Sequence, residues 1–146
     1  MRRAVYDFLL FVHVLFAFTA VSATTLFWML IAATQPGRML LTPGSAMTLG
    51  RIGGIAIGLG MIGALVFGVW LAIYVDGYEL WDTWIAVSIV LWLIGGVAGQ
   101  RAGAAYQRAA EGGDVVALRR QGLVFHTVST AALVVILVMM IFKPGA

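Results

Sequence analysis

"RIGGIAIGLGMIGALVFGVWLAIYVD", residues 51–76, runs from one charge to the next with twenty-four uncharged residues between Arg51 and Asp76. A helix needs about 20 apolar residues to cross a hydrocarbon layer roughly 30 Å thick. One such gap makes one span, and the chain has four. Thirty uncharged residues separate Asp7 from Arg38, eighteen separate Asp82 from Arg101, and twenty-two separate Arg120 from Lys143. Only 10% of the 146 residues are charged and 62% are hydrophobic, against about 25% charged in soluble domains. The fold expected is an all-α, integral-membrane four-helix bundle forming one domain over residues 1–146.

A membrane β-barrel is excluded by pattern. Barrel strands alternate apolar and polar residues, whereas "IAVSIVLWLIGG" and "ALVVILVMMIF" do not alternate. The N-terminal "MRR" with its apolar stretch and "AVSA" has the look of a secretory leader. The apolar run continues through "TTLFWMLIAA", so it reads as a span. The spans are expected at about 4–34, 45–75, 81–111 and 114–142. Ser45 is a candidate N-cap for the second helix and Asp114 for the fourth. Pro36-Gly37, Gly112-Gly113 and Lys143-Pro144-Gly145 serve as stops.

There is no cysteine, so disulfides and thiolate ligands are excluded. The nine basic residues are scattered beside the spans. They fit lipid headgroups and orientation rather than nucleic acid. Six arginines (Arg38, Arg51, Arg101, Arg108, Arg119 and Arg120) flank the two loops on one side; Arg2, Arg3 and Lys143 lie on the other. The excess places both termini outside and both arginine-bearing loops in the cytoplasm. Trp28, Trp70, Trp81, Trp84 and Trp92, with Tyr74 and Tyr78, gather toward helix ends as an interfacial belt.

Small residues recur at fixed spacing. Gly50, Gly54 and Gly58 form one strip on the second helix; Ala56, Gly60, Ala64 and Gly68 form another; Gly95, Gly99 and Gly103 form a third. Such strips let helix backbones approach closely, which is how membrane helices associate. With two strips on one helix, one is free to serve the chain's own packing and the other a homo-oligomer or a larger membrane complex.

Two histidines lie inside spans. Ionisable groups there are functional candidates and face inward. His13 shares a helical stripe with Ala17, Ala20 and Thr24; His126 lies beside Gly122, Ser129 and Thr130. Both occupy the N-terminal third of helices expected to be antiparallel, so they are displaced toward opposite membrane faces by about 20 Å. One shared iron or haem is therefore not expected; each histidine is open to a separate haem or copper site or, equally, to a packing role as a neutral imidazole bonded to a hydroxyl or a carbonyl with no cofactor at all. Met61 on the second helix and Met139 and Met140 on the fourth are soft ligand candidates for Cu(I), with His13 and Met61 as the metal-site residues; methionines in so apolar a chain also serve as core filler. Three carboxylates in "DGYELWD", residues 76–82, lack calcium-loop spacing. Among other chemistry-bearing patterns, H-E-x-x-H, P-loop and G-x-S-x-G are missing, so no catalytic residue is nominated.

"FLLFVHVLFAF" opening the first helix, the 51–74 stretch, "WDTWIAVSIVLWLIGGVAG" and the closing "KPG" resemble the bacterial integral-membrane family called domain of unknown function 2269. The resemblance spans the whole chain and implies a four-helix protein of the bacterial cytoplasmic membrane with no assigned activity. His13 alone is also similar in placement to the histidine of CopD-type copper-resistance domains and of haem-associated protoporphyrinogen oxidases. These likenesses imply copper or haem at His13. The functional expectation is a non-enzymatic, helix-packing or accessory subunit of a membrane complex. Metal or haem handling through His13 is the alternative, and small-solute transport, which would call for a broken helix or polar path, comes third.

Overall fold

The structure is a computed structural model that describes residues 2–33, 43–75, 79–112 and 114–144. Among the described residues the chain is all-α, with four helices: α1 (Arg2–Ala33), α2 (Pro43–Tyr74), α3 (Thr83–Ala110) and α4 (Val115–Phe142). Each is long and apolar enough to cross a membrane, so the protein is a multi-pass membrane protein. The boundaries fall close to those expected, with one correction. Ser45 is not the N-cap of α2, because helix has already begun at Pro43. Proline's fixed φ and missing N–H suit a first helical turn, where that donor has no partner in any case. Asp114 does cap α4, its carboxylate accepting from the Ala117 N–H at 3.1 Å. At the other end of α4, Lys143 closes the helix in the left-handed region at φ 41°, and Pro144 follows.

The helices pair within two compact units, residues 1–76 and 77–146. In the first, α1 and α2 form an antiparallel hairpin. Its α1 seam runs Leu9, His13, Phe16, Ala20, Ala23, Phe27, Leu30, alternating steps of four and three; Leu9, Ala20, Ala23 and Leu30 are buried. This is the 3.5-residue period of a left-handed supercoil. Glycines on α2 meet it. A Cβ on Gly60 would stand 2.7 Å from the Ala20 nitrogen and 2.9 Å from the Phe16 carbonyl oxygen; one on Gly63 would strike the Phe16 ring; one on Gly53 would meet the Phe27 ring at 3.0 Å. The Phe16 ring stacks on Phe67 at 5.7 Å, and Phe67 on Trp70 at 6.1 Å. Tyr74 Oη donates to the Arg2 carbonyl at 3.2 Å, tying the last turn of α2 to the first of α1.

The α3–α4 hairpin follows the same rule. Its α3 seam runs through Trp84, Ser88, Gly95, Ala98, Ala102 and Ala105, all buried. On α4, Gly122, His126 and Ala132 are buried. Gly95 faces Ala132 and Gly99 faces the Ser129 hydroxyl, at 3.2 and 3.3 Å from an added Cβ. Ser129 Oγ donates across the seam to the Gly95 carbonyl at 2.9 Å. The faces away from the seams carry exposed Ile, Leu, Val and Phe side chains such as Phe11, Phe18, Ile55 and Ile73. Such faces suit a membrane interior, where lipid tails are as apolar as leucine.

Candidate functional site in the α1–α2 hairpin

His13 sits half-buried on the α1 seam. Its Nδ1 donates to the Ala64 carbonyl of α2 at 2.9 Å. A carbonyl oxygen only accepts, so Nδ1 carries the proton. In the neutral ring Nε2 is then the bare lone pair, the atom that accepts a proton or binds a metal. The imidazole fits because Gly68 has no side chain: a Cβ there would lie 2.9 Å from Cε1 and 3.0 Å from Nδ1. Backbone and ring thus fix tautomer and orientation together. A ligating histidine is held this way, its other N–H given to a carbonyl or carboxylate.

The expected stripe of His13 with Ala17, Ala20 and Thr24 is turned part-way round the helix. Ala20 is buried, but Phe16 and Ala23, not Ala17 and Thr24, continue the seam. Thr24 spends its hydroxyl on its own helix, donating to the Ala20 carbonyl at 2.8 Å. Thr19 and Thr25 do likewise toward Leu15 and Val21. The polar atoms of this stripe therefore do not converge on His13. Met61 lies one turn before Ala64 on α2, half-buried and engaged in a contact of its own. Side chains on a helix lean toward its N-terminus, so Met61 leans away from the Ala64–Gly68 turn that holds the imidazole. Among the described residues no three of His, Asp or Glu gather as a metal cluster.

His126 belongs to the other hairpin. It is 5% exposed on the α4 seam, within the Gly122–Ser129 stretch that packs on α3. Thr130 Oγ1 donates to the His126 carbonyl at 2.8 Å, again within one helix. Met139 and Met140 lie more than three turns further along α4.

The glycine strips separate by role. Gly60 and Gly68 lie at the α1–α2 contact and Ala64 supplies the carbonyl for His13, while Gly95 and Gly99 lie at the α3–α4 contact. Gly50, Gly54 and Gly58 lie at neither: among the described residues a Cβ on any of them would meet nothing within 4 Å, and the same holds for Gly103. Gly53, Gly63 and Gly122, which the four-residue spacing passes over, are seam residues. The signal for the first two was a step of seven between Gly53 and Gly60 with Gly63 three further on, a heptad and not a four-residue ladder. No protein-family model, no curated protein and no solved structure matches this chain.

Proposed function

We propose that this is a non-catalytic protein of a membrane complex in the bacterial cytoplasmic membrane, whose α2 offers a docking strip to another transmembrane helix, from a second copy or from a different subunit. One observation carries the reading. Within the α1–α2 unit, Gly50, Gly54 and Gly58 form a small-residue strip with no described atom within 4 Å of their would-be side chains, while a separate set, Gly53, Gly60 and Gly63, serves the α1–α2 seam. Three glycines inside a helix cost roughly 1 kcal/mol each relative to alanine. Close approach of another backbone is the membrane setting in which that cost is offset. Both termini lie outside in this reading, from the arginine excess on the two loops.

The absence of cysteine makes the test direct. Met47 is exposed and lies seven residues before Gly54, on the strip's face, whereas Leu59 is exposed on another. A Met47→Cys variant crosslinked in native membranes should yield one discrete adduct that Leu59→Cys does not, and Gly54→Leu should abolish it. A chain that stays uncrosslinked at Met47 under conditions that trap known neighbours defeats the proposal.

A second reading has its own observation, the Nδ1 bond to Ala64 that orients His13 and leaves Nε2 for a metal. Nε2 of His13 would be the one nitrogen held ready for haem iron or copper, and the group would supply redox chemistry when bound. A visible spectrum with metal analysis on gently extracted protein, repeated on His13→Ala, tests it. A Soret band or stoichiometric copper lost in the variant supports the reading, and identical metal content in both proteins removes it.

A further inference from the structure

The face of α2 that carries Gly54 leads to His13. Met47, Gly54, Met61 and Gly68 follow one another at steps of seven. A seven-residue step falls only about 20° short of whole turns of a helix, so the four share one face. Met47 is exposed, and among the described residues nothing stands against a Cβ on Gly54. At the other end of the line Gly68 has no side chain, and the imidazole of His13, reaching over from α1, takes the place of one. An added Cβ on Gly68 would lie 2.9 Å from Cε1, 3.0 Å from Nδ1 and 3.9 Å from Nε2 of that ring. What this face carries at its last heptad position is therefore an imidazole from the neighbouring helix. A helix laid along the line would meet it.

The chemistry of that imidazole constrains what can dock. Nδ1 gives its proton to the Ala64 carbonyl at 2.9 Å, so Nε2 of the neutral ring is an acceptor. A second copy in the same membrane orientation is related to the first by a two-fold axis along the membrane normal, and its own His13 arrives at the same depth. The face it brings there consists of Met61, Leu65 and Gly68, none of which donates a hydrogen bond. Two Nε2 lone pairs then confront one another in a medium of low dielectric, which is unfavourable until one cation binds both. Imidazole nitrogen is a ligand for first-row metal ions. Zinc asks for four ligands, and among the described residues no cluster of His, Asp or Glu supplies the others. Monovalent copper is satisfied by two nitrogens in line. One copy alone offers a single nitrogen, so the site is complete only in the pair.

We infer that two copies of this chain, docked along the line from Met47 to Gly68, hold one Cu(I) ion between their His13 Nε2 atoms. The inference rests on the α2 docking reading proposed above and names a second copy as the occupant. The full chain, purified in detergent and titrated anaerobically with Cu(I), should bind one ion per two chains and pass from monomer to dimer as it does so, read by metal analysis and analytical ultracentrifugation. His13→Ala should lose both the ion and the dimer shift. Gly68→Ala, which crowds the ring away from the Ala64 carbonyl, should weaken copper binding by roughly 10–100-fold, the usual cost of disturbing the group that orients a ligand. Gly54→Leu leaves His13 and its seat intact but obstructs the docking face, so it should lose the ion as well. Copper bound at one ion per chain, or retained at full affinity by His13→Ala or by Gly54→Leu of normal helix content, overturns the shared site. A Soret band at one haem per two chains overturns the bare ion as occupant. Crosslinking at Met47→Cys separates this failure from that of the docking reading. A self-adduct without a shared ion removes the copper site and leaves the docking face standing. No self-adduct, with a different protein trapped at Met47→Cys in native membranes, overturns the second copy in favour of another subunit.

Discussion

Replacing Gly60 with alanine should loosen the α1–α2 hairpin, and the size of the effect follows from what the new methyl meets. An added Cβ lies 2.7 Å from the Ala20 nitrogen, 2.9 Å from the Phe16 carbonyl oxygen and 3.0 Å from the Ala20 Cα. All three are backbone atoms of α1, so no side chain can swing aside. Ordinary carbon contacts need about 3.5–4.0 Å, so the two helices must part by roughly 1 Å at their closest point. Gly53 against Phe27 and Gly63 against Phe16 share that seam, so the separation spreads to both. Overpacking of this kind costs about 1–3 kcal/mol; glycine to alanine within a helix returns up to about 1 kcal/mol. With the full gain subtracted, the net loss expected is up to about 2 kcal/mol. Gly58→Ala, with nothing within 4 Å of its Cβ, keeps only the propensity gain and should leave the isolated chain as stable or up to about 1 kcal/mol more so. Reversible sodium dodecyl sulfate titration in mixed micelles, followed by circular dichroism and tryptophan fluorescence, resolves differences of that size. Equal unfolding midpoints for the two variants would refute the placement of Gly60 on the seam.

Gly68→Ala crowds a side chain rather than a backbone, so the His13 ring should turn away and lose its Ala64 bond at a cost of about 1 kcal/mol; the 15N shifts of the imidazole report the lost bond directly. Gly122→Ala brings a Cβ to 2.7 Å from Cζ of Tyr106 and should drive that ring off its seat, lowering the thermal midpoint of the α3–α4 unit by an amount equivalent to about 1–3 kcal/mol. Ser129→Ala removes the bond to the Gly95 carbonyl and should cost only about 0.6 kcal/mol, the mean for interhelical bonds in membranes, as read in the same detergent titration. Asp114→Ala should destabilise the start of α4 by about 1 kcal/mol, visible as faster hydrogen exchange at the Ala117 amide.

The four spans were legible because charge is costly in hydrocarbon, so gaps such as Arg51 to Asp76 can be counted directly. Which face of each span turns inward was much less legible. In water a helix declares its buried face by hydrophobicity; between lipid and protein there is little contrast to read. Small and mildly polar side chains at Ala17 and Thr24 suggest a common interior stripe with His13. Phe16 lies on the seam instead, because Gly63 leaves the volume its ring fills. The glycines at 50, 54 and 58 have the more regular spacing, yet the hairpin closes on 53, 60 and 63. The bond from His13 to Ala64 and the seating of the Tyr106 ring on Gly122 depend on how two distant stretches align, a register that one-dimensional spacing does not contain.

The glycine-on-backbone seams also determine where this chain can drift. Leucine, isoleucine, valine and phenylalanine facing acyl chains are interchangeable at little cost, so most of each span is free to wander while its hydropathy holds. The identity of the fold is then stored in a short string of positions where any side chain forces the helices apart, among them Gly60 and Gly63. Two chains could share that string, and the same hairpin, while agreeing at few other sites. A search weighted by overall residue similarity would pass over such kin; a pattern of forbidden side chains at heptad spacing would find them.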